Sequence, residues 1–205
     1  MIRRQFLILT GALGLFACQK PAEEPPPEPA LPKRLPETGL DVPPDTVRVA
    51  LETSEGQIVL ELDGKHAPQS TANFLHYVDT HKLDSSTFYR AIRAGDAGFI
   101  QFNSGDRTYP PIPHEPTTQT GLSHTDGAIS TARYAVGTAS NEFTICVGDM
   151  TYLDAGGTAT PDKQGYAVFG HVVSGMDIVK RILKSRLNGE NLVTPVVITS
   201  AHRIT

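Results

Sequence analysis

Cysteine is nearly missing from this 205-residue sequence: two occur, Cys18 and Cys146, too few for a disulfide framework to organise the fold. Basic charge is not in excess. Lys and Arg number 18 against 22 Asp and Glu, giving a net charge of -4 and a pI near 5.9. No basic stripe is present to neutralise phosphates, which argues against nucleic acid as a partner. Long apolar runs are also lacking; residues 6–17 carry no charge but are short for a bilayer crossing. His114, His124 and His171 are scattered, with no i, i+4 pair and no cysteine cluster nearby, so neither a metal site nor a cofactor is expected. What is present, 39% hydrophobic and 20% charged residues, is the composition of a globular core. The length suits one domain plus appendages.

Residues 1–18 read as a targeting segment rather than as part of a fold. Arg3 and Arg4 precede the apolar stretch, in a run that looks like a twin-arginine export signal. The end, Leu15-Phe16-Ala17-Cys18, is similar to the lipobox of bacterial lipoproteins, where the cysteine is lipidated and becomes the new N-terminus. Phe16 stands where a small or aliphatic residue is usual, so cleavage by an ordinary signal peptidase stays open. The expectation is an exported, periplasmic protein held at a membrane through Cys18. Between residues 19 and 44 lie nine of the 16 prolines, mixed with Glu23, Glu24, Glu28, Lys33 and Arg34. Such a segment cannot bury enough apolar area to order itself and favours extended polyproline conformations. Residues 19–45 are therefore read as a disordered spacer, a stalk lifting a domain off its anchor.

The globular part is expected over 46–205. Val47, Val49 and Leu51 alternate with polar residues, Ser54-Glu55-Gly56 turns, and Ile58, Leu60 and Leu62 alternate again, which predicts a hairpin. Pro68 suits a first helical turn, and Ala72, Phe74, Leu75, Tyr77 and Val78 give an apolar face at helical spacing. Residues 109–118 read as proline-rich loop. Strand-like runs follow at 128–130, 143–147 and 166–169, with a Gly-, Thr-, Asp- and Pro-rich loop over 154–165. Ser174 reads as the N-cap of a second helix whose buried face is Met176, Val179 and Leu183. A last strand lies at 196–198 behind Pro195. Many short strands with two helices imply a β-barrel or sandwich rather than a doubly wound sheet.

Residues 87–106 hold the residues most able to do chemistry. Arg90 sits inside an alternating apolar run, a Gly-Asp-Ala-Gly loop follows, and Phe99-Ile100 leads to Gln101. A cation and an amide beside apolar walls are the equipment of a ligand pocket, although an isolated strand arginine is more often a surface salt bridge. Other reactive types have bland readings. Cys146 lies in an apolar run and reads as a buried small hydrophobe. Ser123, His124 and Asp126 contain the residue types of a catalytic triad, but near-adjacent residues do not give its geometry.

Five segments in order change the weight of these readings: Phe88-Tyr89-Arg90, Gly127-Ala128-Ile129-Ser130-Thr131-Ala132-Arg133, Asn141-Glu142-Phe143-Thr144-Ile145, Gly165-Tyr166-Ala167-Val168-Phe169-Gly170 and Val173-Ser174-Gly175-Met176-Asp177. Together they resemble the cyclophilin-type peptidyl-prolyl cis-trans isomerases, and Pro110 to Glu115 with Ser140 to Asp149 look like the bacterial branch. The resemblance implies a mainly β fold, a closed eight-stranded antiparallel β-barrel capped by two α-helices. It implies Arg90 as the catalytic arginine and Gln101 as the glutamine that orients it. It further implies Phe99, Ala132, Phe143 or Thr144, Tyr152, Leu153 and Tyr166 at pocket or rim positions, with Arg133 and Glu142 as polar rim contacts. The implied partners are proline-containing segments of folding exported proteins, and a monomer is expected.

Three departures stand out. Phe102 and Asn103 follow the glutamine where the family usually has two glycines, and an alternative register would put Asn103 in the glutamine's place. Thr144 replaces a phenylalanine that floors the proline pocket. The chain has no tryptophan, and Tyr152 stands near the position where cyclosporin-sensitive members carry one, so weak inhibition by that drug is expected. These departures keep a second reading open, a cyclophilin-shaped module that holds proline segments with little turnover. A hydrolase using a histidine and an acid is a third.

Overall fold

The computed structural model describes residues 34–205. The expected export signal, the expected lipidation of Cys18 and the spacer as far as residue 33 lie outside the described residues. The alternating runs near the start of the domain form β1 (Thr46–Thr53) and β2 (Gly56–Asp63). These pair antiparallel from Thr46↔Asp63 to Thr53↔Gly56. Helix α1 (Pro68–Asp79) carries Pro at its start as expected. The remaining strands are β3 (Ser86–Ala94), β4 (Ala97–Asn103), β5 (Ala128–Thr131), β6 (Glu142–Val147), β7 (Ala167–Ser174), β8 (Leu187–Asn188) and β9 (Asn191–Ile204).

The hydrogen-bonded order β1-β2-β7-β5-β6-β4-β3-β9 returns to β1 through a β1–β9 pairing. Every pairing is antiparallel. The eight strands thus close on themselves and leave no free edge, while the two-residue β8 is an appended hairpin partner of β9. The barrel core is aromatic. Phe74 of α1 meets Phe143 at 4.9 Å between ring centroids, and Phe88 meets Phe102 at 4.8 Å. Helix α1 packs against β2, β7 and β9, and α3 (Met176–Lys184) against β2, β3, β4 and β6.

The structure departs from the sequence reading in four places. Residues 34–45 are not an extended tail where they are described: Leu35 is buried, its N–H donates to the Leu40 carbonyl at 2.7 Å, and Arg34 bridges to Asp41. Pro43 is buried too, Thr38 and Glu37 bond the Gln69 side chain of α1, and the Asp45 carbonyl accepts the Lys65 N–H at 3.2 Å, so this end of the spacer is held on the domain. Ser174 ends β7 and does not cap α3; the cap is Gly175 at φ 88°. A side chain there would be strained, and its Cβ would lie 2.5 Å from the Gln57 carbonyl oxygen. The loop expected over 109–118 gives way at its end to a single helical turn, α2 (Thr117–Thr120). The final strand is far longer than 196–198. Pro195 is accommodated because the β3–β9 register skips from Phe88↔Val196 to Arg90↔Asn191, so no ladder bond is asked of it.

Candidate active site

In a regular strand Phe88 and Arg90 would share a face, because the side-chain period is two. A bulge at Tyr89 breaks that parity: the β3–β4 register runs Phe88↔Phe102 and then Arg90↔Gln101. Phe88 and Phe102 enter the core, both fully buried, while Arg90 and Gln101 stand together at a cavity of about 460 Å³. The two-residue turn Gly95-Asp96, with Gly95 at φ 66°, holds this register.

Arg90 is held from two sides. Its Nε and Nη2 donate to Oε2 of Glu190 at 2.8 and 2.6 Å, and its Nη1 donates to Oε1 of Gln101 at 2.7 Å. Three of the five guanidinium N–H groups are thereby engaged, and two have no partner among the described residues. Gln101 in turn donates from Nε2 to Glu142 at 2.8 Å, and Glu142 also accepts Tyr89 Oη at 2.9 Å and Asn103 Nδ2 at 2.7 Å. Burial, and then the Glu142 carboxylate, push the Tyr89 phenol well above its ordinary range, so it stays a donor. Gln101, not Asn103, is the amide that meets Arg90.

The apolar side of the cavity comes from Phe99, Ala132, Leu153 and Tyr166. The Phe99 ring centroid lies 5.9 Å from Arg90 Cζ. The floor carries two hydroxyls: Thr144 Oγ1 and Ser130 Oγ are 2.7 Å apart and buried. Of the residues expected at the site, Arg90, Phe99, Gln101, Ala132, Arg133, Glu142, Thr144, Leu153 and Tyr166 line this cavity.

Two expected residues do not. Phe143 is fully buried in the barrel core, since β6 alternates and only Thr144 of the pair faces the cavity. Tyr152 lies on a single 3-10 turn (Thr151–Leu153) that points Leu153 inward and leaves Tyr152 42% exposed.

Arg133 differs from a simple rim contact. Its side chain is 1% exposed, and its Nη1 and Nη2 each donate to Asp162 at 2.8 Å, with Nε donating to the Gly165 carbonyl at 2.9 Å. It clamps the 154–165 loop whose far end delivers Tyr166. The guanidinium hydrogen bonds hold the Asp162 carboxyl well below the usual carboxylate range.

Sequence reading passed over Tyr89, Ser130, Tyr134, Thr138, Ser140 and Asn141 as cavity residues, although Tyr89, Ser130 and Asn141 lie inside the five segments quoted above. Glu190 gave no signal in the sequence, because it meets Arg90 across 100 residues.

The competing chemistries find no support in the geometry. Ser123 Oγ and His124 Nδ1 both bind Asp154 rather than each other, the latter at 2.6 Å, and Asp126 accepts the Gly148 N–H instead. Burial lowers the His124 pKa below that of an ordinary imidazole. Cys146 is fully buried, and burial pushes its thiol up to about 12. Among the described residues no group of three or more His, Cys, Asp or Glu is placed to hold a metal ion.

Comparison with known proteins gives one answer. The family model for cyclophilin-type peptidyl-prolyl cis-trans isomerases matches residues 48–203. The chain is 35% identical to peptidyl-prolyl cis-trans isomerase A of Dickeya dadantii, over 76% of this chain and 84% of that protein. It is 36% identical to peptidyl-prolyl cis-trans isomerase cyp18 of Streptomyces antibioticus, over 75% of this chain and 96% of the relative. In fold it is similar to the crystal structure of a Cryptosporidium parvum cyclophilin-type isomerase. That match has a TM-score of 0.66 at 16% identity and covers 78% of this chain and 98% of the other. The same parasite protein has also been crystallised in the presence of the dipeptide Ala-Pro.

Proposed function

The chain belongs to the cyclophilin-type peptidyl-prolyl isomerases, and from that premise we propose that Arg90 accelerates X-Pro rotation by donating to the prolyl nitrogen. A peptide C–N bond resists rotation by roughly 18–20 kcal/mol because of resonance. For X-Pro both isomers are populated, and they exchange over tens to hundreds of seconds. Catalysis of this exchange calls for an apolar cup that grips the ring and a donor aimed at the nitrogen. As the bond twists, conjugation is lost and the nitrogen lone pair becomes a hydrogen-bond acceptor. A donor at that point binds the twisted state better than either planar one, which is what lowers a barrier.

The observation that carries this reading is Arg90 itself: pinned by Glu190 and Gln101, with two N–H groups unengaged, and lining a cavity whose apolar side is Phe99, Ala132, Leu153 and Tyr166. A guanidinium stays charged at any working pH, so the donor needs no proton shuttle. A protease-coupled assay on an Ala-Pro tetrapeptide tests it. Arg90→Ala is expected to lose about 100-fold in kcat/KM, the usual scale for a preorganised donor, with the fold intact by circular dichroism.

The clients, on this reading, are proline-containing segments of exported proteins, and the protein is tethered by a lipid on Cys18. The support is the arginine pair, the uncharged stretch and the lipobox-like end. A second reading, a cyclophilin-shaped module that binds proline segments with little turnover, draws on the Ser130 and Thr144 hydroxyls where the floor would otherwise be apolar. If Arg90→Ala matched the wild type, that module alone would remain.

A further inference from the structure

The geometry points to Glu190 as a positioning residue for the isomerisation, the group that fixes the plane of the Arg90 guanidinium. This inference rests on Arg90 being the donor to the prolyl nitrogen. Glu190 follows Gly189, at φ 62°, in the two-residue turn between β8 and β9, where Asn188 pairs with Asn191. That turn lies against the β3 bulge. Asn191 is the register partner of Arg90, and the Glu190 carbonyl accepts the Ala91 N–H at 2.9 Å. The backbone therefore places Glu190 beside Arg90 whatever its side chain does.

The side chain then supplies what Gln101 cannot. One contact at Nη1 leaves the guanidinium able to turn about that bond, and a second held point fixes the plane of the rigid fork. Glu190 Oε2 takes Nε and Nη2 together, at 2.8 and 2.6 Å, so the two ends of the fork are tied to groups on opposite sides. One N–H on Nη1 and one on Nη2 are left over, on a residue that lines the cavity. The Arg90 and Glu190 side chains are 33% and 57% exposed. An ion pair that exposed contributes little to stability, so removing Glu190 is expected to leave the fold intact and to act on the chemistry. A small displacement of a catalytic donor can cost up to about 100-fold in rate.

The test compares Glu190→Ala and Glu190→Gln with wild type, measuring kcat and KM separately by exchange NMR on the Ala-Pro tetrapeptide. Because one oxygen accepts both bonds, a glutamine oxygen can replace it. Glu190→Ala is expected to lower kcat about tenfold with KM nearly unchanged, and Glu190→Gln to recover most of that loss. In an Arg90→Lys background the Ala substitution should have no further effect. The proposal is overturned if Glu190→Ala is as fast as or faster than wild type, if its loss appears in KM alone, or if Glu190→Gln is as impaired as Glu190→Ala. Full activity in Arg90→Ala would instead sink the donor assignment; an inactive Arg90→Ala beside an unimpaired Glu190→Ala would sink only the role of Glu190.

Discussion

On the proposed reading, Thr144 sets how well the cavity grips a proline ring. It replaces apolar floor with a hydroxyl already bonded to Ser130 at 2.7 Å, and the missing side-chain area is worth on the order of 1–2 kcal/mol of binding. Thr144→Phe combined with Ser130→Ala, which removes the hydroxyl that would be orphaned, should therefore lower KM for the tetrapeptide by about 5–30-fold. A KM equal to wild type would mean the ring does not sit on that floor. His124 sets a pH limit on the fold. Burial lowers its folded pKa, so between that value and an unfolded value of about 6.5 the unfolded chain binds the extra proton. Stability is then complete above pH 6.5 or so and is lost as the pH falls toward the folded pKa. The drop in melting temperature from pH 7.5 to 5.5 should be larger in wild type than in His124→Gln, which keeps an N–H for Asp154.

At the scale of elements, helix α1 shows a start signal that no window of sequence contains. Pro68 fits its first turn, but Ala67 at the N-cap has no side chain to offer the exposed N–H groups. Glu115, 3% exposed, serves instead: its Oε1 and Oε2 accept the Gln69 and Ser70 N–H groups at 2.9 and 2.8 Å. The carboxylate also sits at the positive end of the helix dipole. Glu115→Gln turns an amide NH₂ toward a backbone donor and leaves a buried group unsatisfied, a cost of about 1–3 kcal/mol. Thermal unfolding should shift down by roughly 3–10 °C, and an unchanged midpoint would show that water caps the helix as well. The β3 bulge teaches the same lesson in a strand. An alternating run at 88–92 and a short apolar run at 99–100 marked what the structure shows as β3 and β4, and the resemblance picked out Arg90 and Gln101. Only the bulge explains how Phe88 can be core and Arg90 cavity two residues later.

For the whole molecule, the barrel closes when β9 pairs with both β1 and β3, and that closure brings Glu190 to Arg90. The anchor belongs to this scale too. If Cys18 is the lipidated N-terminus, the mature protein from a membrane fraction should show an intact mass that begins at Cys18 with added acyl chains. Cys18→Ala should move it to the soluble fraction. A mass starting elsewhere, without acyl groups, would replace the tether with ordinary signal cleavage. The folded part begins before the first strand, because Thr38 and Glu37 bond the Gln69 side chain and the Asp45 carbonyl accepts the Lys65 N–H, holding part of the proline-rich segment on the domain.

By itself the sequence determined most of the strands, though not β8 or the length of β9, together with the two longer helices and the order of the segments that carry the family resemblance, because side-chain period and glycine placement are local and survive without a structure. It also named Arg90 and Gln101. Tertiary structure decided which face each residue shows: Thr144 to the cavity and Phe143 to the core, Leu153 inward and Tyr152 outward, Arg133 onto Asp162. A single step along a strand reverses a side chain, and partners as distant as Glu115 and Glu190 meet only once the chain has closed. Neither fact can be read from a local window, since both depend on register and closure rather than on composition.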